Sequence, residues 1–163
     1  MKKLSLLLVL FMLVSLSACG GEPKDSAPKD SASDYGFVKV TIPAGWEYVD
    51  RDNSSQVYLT DTADNSRVLQ FTKTTGTAQS AFDRDVESRT NSERPFTVLS
   101  DKTFGEYTYL ALEFLWNGNP SLSLRVDVPS TSDSISVSCF ELSPDDPIIA
   151  EILNTVTYIP PAK

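Results

Sequence analysis

The sequence predicts an α+β domain in which a twisted antiparallel β-sheet is covered by two helices. Three observations predict this fold class. Most apolar runs alternate with a period of two residues, two segments carry apolar residues at helical spacing, and short connections rich in Asn, Asp, Gly and Pro separate the runs. Residues 35–163 have the length of one domain, and we expect a single one.

The N-terminus has the layout of a secretory signal. Lys2 and Lys3 precede an apolar run over residues 4–16, which is shorter than the ~20 residues of a comfortable membrane span. The run ends in four residues that match the lipobox of bacterial lipoproteins: Leu16, Ser17, Ala18 and Cys19. We therefore predict a signal peptide over residues 1–18, with lipid on Cys19. The alternative is an ordinary signal peptide with a chance cysteine.

Residues 19–34 are predicted to be a disordered tether behind the lipid. They contain a tandem Pro-Lys-Asp-Ser-Ala repeat and no residue able to build a core. As a random coil, such a segment would hold the domain about 20 Å from the lipid.

The charge and the cysteine content exclude several classes of function. The chain from Cys19 onward carries 12 basic and 22 acidic side chains, a formal charge of −10, which argues against nucleic acid and anionic lipid headgroups as partners. The chain has no histidine, the commonest general base and metal ligand. With Cys19 lipidated, Cys139 has no partner for an internal disulfide. No cofactor is expected.

The first half of the domain is predicted as strands. Alternation or extended character places them at residues 37–42, 46–49, 56–60 and 67–73. The last two form a hairpin around Asp64-Asn65. Its register is predicted by opposing Val57 to Phe71 and Leu59 to Leu69, which keeps the apolar residues on one face.

Residues 78–91 are predicted to form a surface helix. Thr77 can cap it, and Ala78, Phe82 and Val86 make a thin apolar stripe. Asp85 and Arg89 are spaced to form an i,i+4 ion pair.

The second half is again strongly β, with strands expected at residues 96–104, 107–116, 121–128 and 134–142. Asn117-Gly118 is typical of a two-residue hairpin loop. We nevertheless predict a three-residue loop over 117–119, because it opposes Phe114 to Leu122 and Leu112 to Leu124 and so gives one buried face.

A second helix closes the domain. Asp146 is its predicted cap and Pro147 its first residue. Apolar residues follow at helical spacing at positions 148, 149, 152, 153 and 156, so this helix should pack tightly on the sheet. Residues 157–160 are expected to be extended.

The opening segment, Phe37-Val38-Lys39-Val40-Thr41-Ile42-Pro43-Ala44-Gly45-Trp46, resembles the first strand of the Mog1/PsbP-like superfamily. The resemblance extends over residues 36–159 in the order of elements, and it implies a twisted antiparallel sheet covered by helices. One branch of that superfamily binds a small GTPase, and another is an extrinsic subunit of photosystem II. Bacterial lipoproteins in it carry one such domain behind a lipobox. The present chain has no histidine at the metal-binding positions discussed for the photosystem branch.

Acidic turns are candidates for cation binding. The segment from Asp50 to Asp61 has the length of a calcium loop, but Ser55 stands where that loop needs glycine. A solvated acidic turn explains it better, and we interpret the pairs Asp61/Asp64 and Asp145/Asp146 in the same way. No metal site is predicted.

No catalytic residue is predicted either. The sequence contains no G-x-S-x-G motif and no Gly-rich phosphate loop, and a Ser–His–Asp triad is impossible without histidine. Cys139 could be a nucleophile, but it shares a strand face with Ile135 and Val137, which favours a core position. Paired carboxylates remain open, because their separation is set by the fold.

Four aromatic residues are candidates for a binding surface: Trp46, Trp116, Tyr107 and Tyr109. The tryptophans adjoin turns, and the tyrosines lie opposite Leu110 and Leu112 on their strand, either outward or under the first helix. Alternatively, the tryptophans are core edges and the tyrosines cover the second face of the sheet.

The leading functional hypothesis is a lipid-anchored, extracytoplasmic, monomeric protein whose domain is a non-catalytic binding or accessory module for an envelope protein partner. The alternatives are a carrier of a small ligand or cation and, third, a carboxylate-dependent hydrolase. Gly20 after Cys19 is not the Asp that retains lipoproteins at the inner membrane of some diderms. It favours the outer membrane if the host is diderm and the outer leaflet of the only membrane if the host is monoderm; the Gly-Gly start and the long polar tether favour the monoderm case.

Overall fold

The computed structural model describes residues 32–160, which form eleven strands and two helices. The signal peptide, Cys19 and the tether up to residue 31 lie outside the described residues. The strands are β1 (Ser33–Asp34), β2 (Val38–Val40), β3 (Trp46–Val49), β4 (Gln56–Asp61), β5 (Val68–Thr75), β6 (Phe96–Val98), β7 (Lys102–Phe104), β8 (Tyr107–Trp116), β9 (Asn119–Asp127), β10 (Asp133–Phe140) and β11 (Thr157–Tyr158). The helices are α1 (Ala78–Asn91) and α2 (Pro147–Leu153).

The strands form one large and one small antiparallel sheet. The large sheet has the order β3-β4-β5-β10-β9-β8-β6, and β7 pairs with the first residues of β8. The small sheet has the order β1-β2-β11 and packs against that same end of β8, where the ring of Tyr158 contacts the ring of Tyr107. The prediction of an antiparallel α+β fold with two helices is confirmed. Ser33 and Asp34, which we expected in the tether, form β1 and pair with β2.

One face of the large sheet carries the main core. Alternate residues of β4, β5, β9 and β10 point into it, and Ile149, Ile152 and Leu153 of α2 belong to the same buried cluster. The predicted register of the β4–β5 hairpin is confirmed, with Val57 opposite Phe71. Cys139 is fully buried within this core, as predicted.

The opposite face is covered in part by α1, which packs across β8, β9 and β10. Its buried residues are Ala78, Ala81 and Phe82, and Phe82 forms a second, smaller apolar cluster with Leu112 and Phe114. The other residues under α1 on β9 and β10 include four serines that are at most 5% exposed: Ser121, Ser123, Ser134 and Ser136. These small side chains let the helix lie close to the sheet, and most of its outer surface is exposed, as expected.

The two faces explain why the predicted three-residue loop between β8 and β9 is wrong. The structure opposes Phe114 to Ser121 and Leu112 to Ser123, with Asn117-Gly118 as a two-residue loop. The apolar residues of β8 and β9 therefore lie on opposite faces, and both faces are buried. The prediction assumed that only one face of this hairpin is buried, and that assumption is wrong.

The expected strand at residues 96–104 is divided into β6 and β7. Val98 lies opposite Leu112 and Lys102 lies opposite Tyr109, so four steps along one strand match three along β8. The extra residue makes a bulge, which bends the strand and redirects its side chains. Ser100 and Asp101 lie in this bulge.

Both helices begin as predicted. The Thr77 side chain accepts a hydrogen bond from the Ser80 N–H at 3.2 Å, and Asp146 Oδ1 accepts one from the Ile148 N–H at 3.1 Å. The second helix ends at Leu153, so Val156 lies outside it, although it is buried. Neither helix of the described segment has the length and apolar character needed to cross a membrane.

Candidate binding surface

The tip of the β8–β9 hairpin exposes two large apolar side chains. Leu115 is 53% and Trp116 is 46% exposed, and they point to opposite faces of the sheet. Pro120, which lies opposite Leu115 on β9, is exposed too. Leu115 and Pro120 thus expose apolar surface on one face of the hairpin end and Trp116 on the other, and we take this end as the candidate contact surface.

Hydrogen bonds hold this tip in one conformation. Asn117 and Gly118 both have positive φ (51° and 85°), as a type I′ turn requires. The Glu141 carboxylate accepts hydrogen bonds from Asn119 Nδ2 (2.9 Å) and Asn117 Nδ2 (3.4 Å), and the Glu141 N–H donates to Ser121 Oγ (2.9 Å). Glu141 thus clamps both sides of the loop.

Aromatic contacts hold Trp116 in place. Its ring lies 4.9 Å, centroid to centroid, from that of Phe140, and Phe140 in turn makes an edge contact with Phe114 at 6.4 Å. The Arg89 guanidinium lies 3.9 Å from the centre of the Phe114 ring. The predicted Asp85–Arg89 pair is therefore wrong: Arg89 stacks on the Phe114 ring, and Asp85 pairs with Arg125 on the sheet beneath α1.

A cleft of about 480 Å³ opens beside the tip, on the same face as Leu115. Three segments line it: Glu113 and Pro120 of the β8–β9 hairpin, the bulge between β6 and β7 (residues 99–102), and the segment before α2 (residues 143–145). The cleft therefore lies where the main core ends and the sheet continues toward the hairpin.

The cleft carries more negative than positive charge. Its charged residues are Asp101, Lys102, Glu113 and Asp145. Lys102 Nζ donates to the Pro144 carbonyl at 3.2 Å and lies 3.5 Å from Asp145 Oδ1. Within residues 32–160, no Lys or Arg nitrogen lies within 4.0 Å of the carboxylates of Asp101 and Glu113.

Of the four aromatic residues predicted as a surface, the structure exposes Trp116. Trp46 is 9% exposed, with Arg67 over its ring at 5.9 Å. Tyr109 is fully buried on the face opposite α1, and its hydroxyl lies 3.1 Å from that of Tyr158. Burial raises the pKa of Tyr109 to about 12.

Tyr107 is half-buried, and its hydroxyl accepts a hydrogen bond from the Tyr158 N–H at 3.2 Å. Tyr107 and Tyr109 therefore help to join the small sheet to the large one. They neither form an outer surface nor lie under the first helix, the two predicted placements.

Two of the predicted acidic turns contribute to a structural ion-pair network. Arg67 bridges Asp61 and Asp146, linking the β4–β5 turn to the start of α2. The Ala63 N–H, 2.9 Å from Asp61 Oδ1, lowers the pKa of Asp61, assisted by Arg67. The Asp61 carboxylate is thus occupied by contacts within the protein. In the described part of the chain, no three His, Cys, Asp or Glu side chains are arranged to hold a metal ion.

Cys139 has the surroundings of a core residue. It is fully buried, and burial raises the pKa of its thiol. A neutral, inaccessible thiol does not act as a nucleophile.

Sequence reasoning missed Leu115 and the cleft. Leu115 lies within the strand predicted over residues 107–116, where the alternation does not mark it as exposed. The signal that could have found it is its place next to the Asn117-Gly118 turn, beyond the reach of either helix. The cleft depends on a bulge and a distant loop, for which the sequence has no local signal.

Comparisons with known proteins bear on the fold. No family model and no curated protein matches the chain. Among solved structures, it is similar to cyanobacterial PsbP (CyanoP) from Synechocystis, with 16% identity and a TM-score of 0.52 over 88% of this chain and 99% of that one.

Two further structures are more distant. A protein of Bacteroides thetaiotaomicron is 12% identical with a TM-score of 0.47; the match covers 79% of this chain, which spans about half (47%) of that protein. LpqN of Mycobacterium tuberculosis, described as involved in cell envelope biogenesis, is 17% identical with a TM-score of 0.46 over 78% of this chain and 87% of LpqN. The likeness to CyanoP shows that this chain has the PsbP-like fold.

Proposed function

We propose that this chain is a bacterial lipoprotein, held on the outer side of a membrane by lipid on Cys19, whose domain is a non-catalytic binding module for an envelope protein. The observation that carries the proposal is the rigid, exposed hairpin tip at Leu115 and Trp116. The lipobox and the polar tether support the anchor.

The tip has the properties of an interface hot spot. Tryptophan is enriched among the few residues that dominate binding energy. Because Glu141 already fixes the loop and Phe140 supports the ring, little conformational entropy is lost when a partner binds. An exposed tryptophan needed only for the core would not require such a clamp.

The position of the tip agrees with an anchored protein. The first described strand, β1, belongs to the small sheet, which packs at the Tyr107 end of β8. Trp116 is the last residue of the same strand. A chain tethered through its N-terminus would therefore present the tip away from the anchor.

Photo-cross-linking in living cells tests the partner. The full-length chain with p-benzoylphenylalanine in place of Leu115 should give one discrete adduct. The same probe in place of Arg84, on the exposed side of α1, is the control. Trp116→Ala should reduce the adduct at least tenfold, since hot-spot residues contribute about 2 kcal/mol or more. Equal adducts from both positions, or an adduct insensitive to the substitution, would contradict the proposed surface.

Cell fractionation tests the anchor separately. Cys19→Ala should either abolish cleavage before residue 19, so that the chain keeps its signal peptide, or release the cleaved chain into the soluble extracytoplasmic fraction. A cleaved chain that stays in the membrane fraction would count against lipid on Cys19.

A carrier of a small ligand or cation is the second candidate. The cleft favours it, because Asp101, Glu113 and Asp145 contribute carboxylates to one concave site of the size of known ligand pockets. Titration calorimetry of the full-length chain with spermidine, an organic cation, tests this candidate. Binding that Glu113→Gln weakens would support it.

A further inference from the structure

We propose that the cleft beside the hairpin receives a lysine or arginine side chain of the protein partner, so that the partner presents a basic residue close to an apolar one. This inference rests on the proposed function and adds the chemistry of the partner. Four properties of the described residues support it.

The first property is unpaired negative charge. Lys102 is satisfied by Pro144 and Asp145, while Asp101 and Glu113 have no cationic side chain within 4.0 Å in the described segment. Glu113 lines the cleft and is only partly exposed. The lining has three acidic side chains and one basic side chain, Lys102, so the cleft favours a cation over an anion.

The second property is the apolar part of the lining. Leu99, Pro120 and Pro144 line the cleft together with the charged groups. A lysine or arginine side chain has an aliphatic stem that packs on apolar surface and a charged end that needs an acceptor. A metal ion would not use these apolar contacts.

The third property is continuity with the hairpin tip. Glu113 and Leu115 are two residues apart on β8 and share a face, about 6.7 Å from each other along the strand. Pro120 contributes to both the cleft and the tip. An extended partner segment has the same spacing between alternate side chains. A basic residue in the cleft would therefore place an apolar residue, two positions along, against Leu115.

The fourth property is the charge of the whole domain. Residues 32–160 carry 9 basic and 19 acidic side chains. A negative field of this kind steers a basic partner and repels an acidic one. Binding should accordingly weaken as salt is added.

Amide chemical-shift titration of the full-length chain in detergent tests the inference. The probes are three acetylated heptapeptides, Gly-Ser-Leu-Ser-X-Ser-Gly, with X as lysine, glutamine or glutamate. We expect the lysine peptide to shift the amides of Ser100 and Gly118, while Gly105, in the turn at the other end of β8, stays unchanged. Glu113→Gln should weaken this binding about threefold or more, as should 0.5 M salt. Glu106→Gln, an exposed glutamate beside Gly105, is the matched control.

The outcomes separate this inference from the proposed function. If all three peptides bind equally, or if Glu113→Gln has no effect, the cleft does not select a basic residue. If free lysine amide binds as tightly as the lysine peptide, the cleft is a small-ligand site and the inference is overturned. If the cellular adduct depends on Trp116 but not on Glu113, only the inference fails. An adduct independent of Trp116 overturns the proposed function itself.

Discussion

The ion pair between Asp85 and Arg125 fastens α1 to the sheet, and we predict that Asp85→Ala will be strongly destabilising. Asp85 Oδ2 accepts hydrogen bonds from both Nε and Nη2 of Arg125. The Arg125 side chain is 12% exposed and that of Asp85 is 32% exposed. Arg125 Nη1 is buried without a protein partner among the described residues. Asp85 is therefore the main compensation for a largely buried cation.

The magnitude follows from this geometry. Removing one member of a buried pair costs about 3–5 kcal/mol, because the remaining charge is left without a partner. The Asp85 side chain is partly exposed, so water can reach the site, and we expect a loss just below that range, about 2–3 kcal/mol. The apolar support of α1 is thin: of its three buried residues, two are alanines. We expect α1 to loosen before the sheet does.

Urea denaturation followed by circular dichroism measures the loss, and amide hydrogen exchange reports whether α1 opens first. Glu87→Ala, an exposed acidic residue of the same helix, is the control and should change stability by less than about 0.5 kcal/mol. The double variant Asp85→Ala/Arg125→Met should recover most of the loss, since it removes the unpaired charge. If Asp85→Ala costs no more than Glu87→Ala, or if the double variant recovers nothing, the reasoning is refuted.

Two further predictions concern buried groups of the main core. The pKa of Tyr109 is 10.0 in an unfolded chain and about 12 in the folded protein. Folding therefore favours the neutral phenol, which stabilises the folded state by about 2–3 kcal/mol. This stabilisation is complete below pH 10 and is lost as the pH rises through 12. The stability difference between the wild type and Tyr109→Phe should shrink by that amount between pH 9 and 12; a difference independent of pH would contradict it. Cys139 should react with a thiol reagent at pH 8 only after unfolding. In a Cys19→Ser background, Ser54→Cys in an exposed turn should react at once, and equal rates would show that the thiol is accessible.

The features that the sequence predicts correctly are local. The β4–β5 register follows from apolar alternation on strands with one buried face, and the caps at Thr77 and Asp146 follow from side chains that bond to backbone two or three residues away. The core position of Cys139 follows from the same alternation.

The features that the sequence misses depend on distant residues. The β8–β9 register differs because α1 buries the second face, which the apolar pattern of the hairpin alone does not reveal. Asp85 pairs with Arg125, 40 residues away, in preference to Arg89 on the next turn of its own helix. Tyr109 is buried because β11 returns to cover it. In each case tertiary packing overrides a local preference.

The opposite placement of β1 and the hairpin tip determines how far the domain can reach. A random-coil tether would hold the start of the domain about 20 Å from the lipid, and the ten residues of β8 span about 33 Å more. Trp116 would then lie about 50 Å above the membrane surface, well beyond the lipid headgroups. Under the proposed function, a partner met at that height would be the ectodomain of a membrane protein or a protein attached to the wall, and a shorter tether would reduce this height without altering the proposed contact surface.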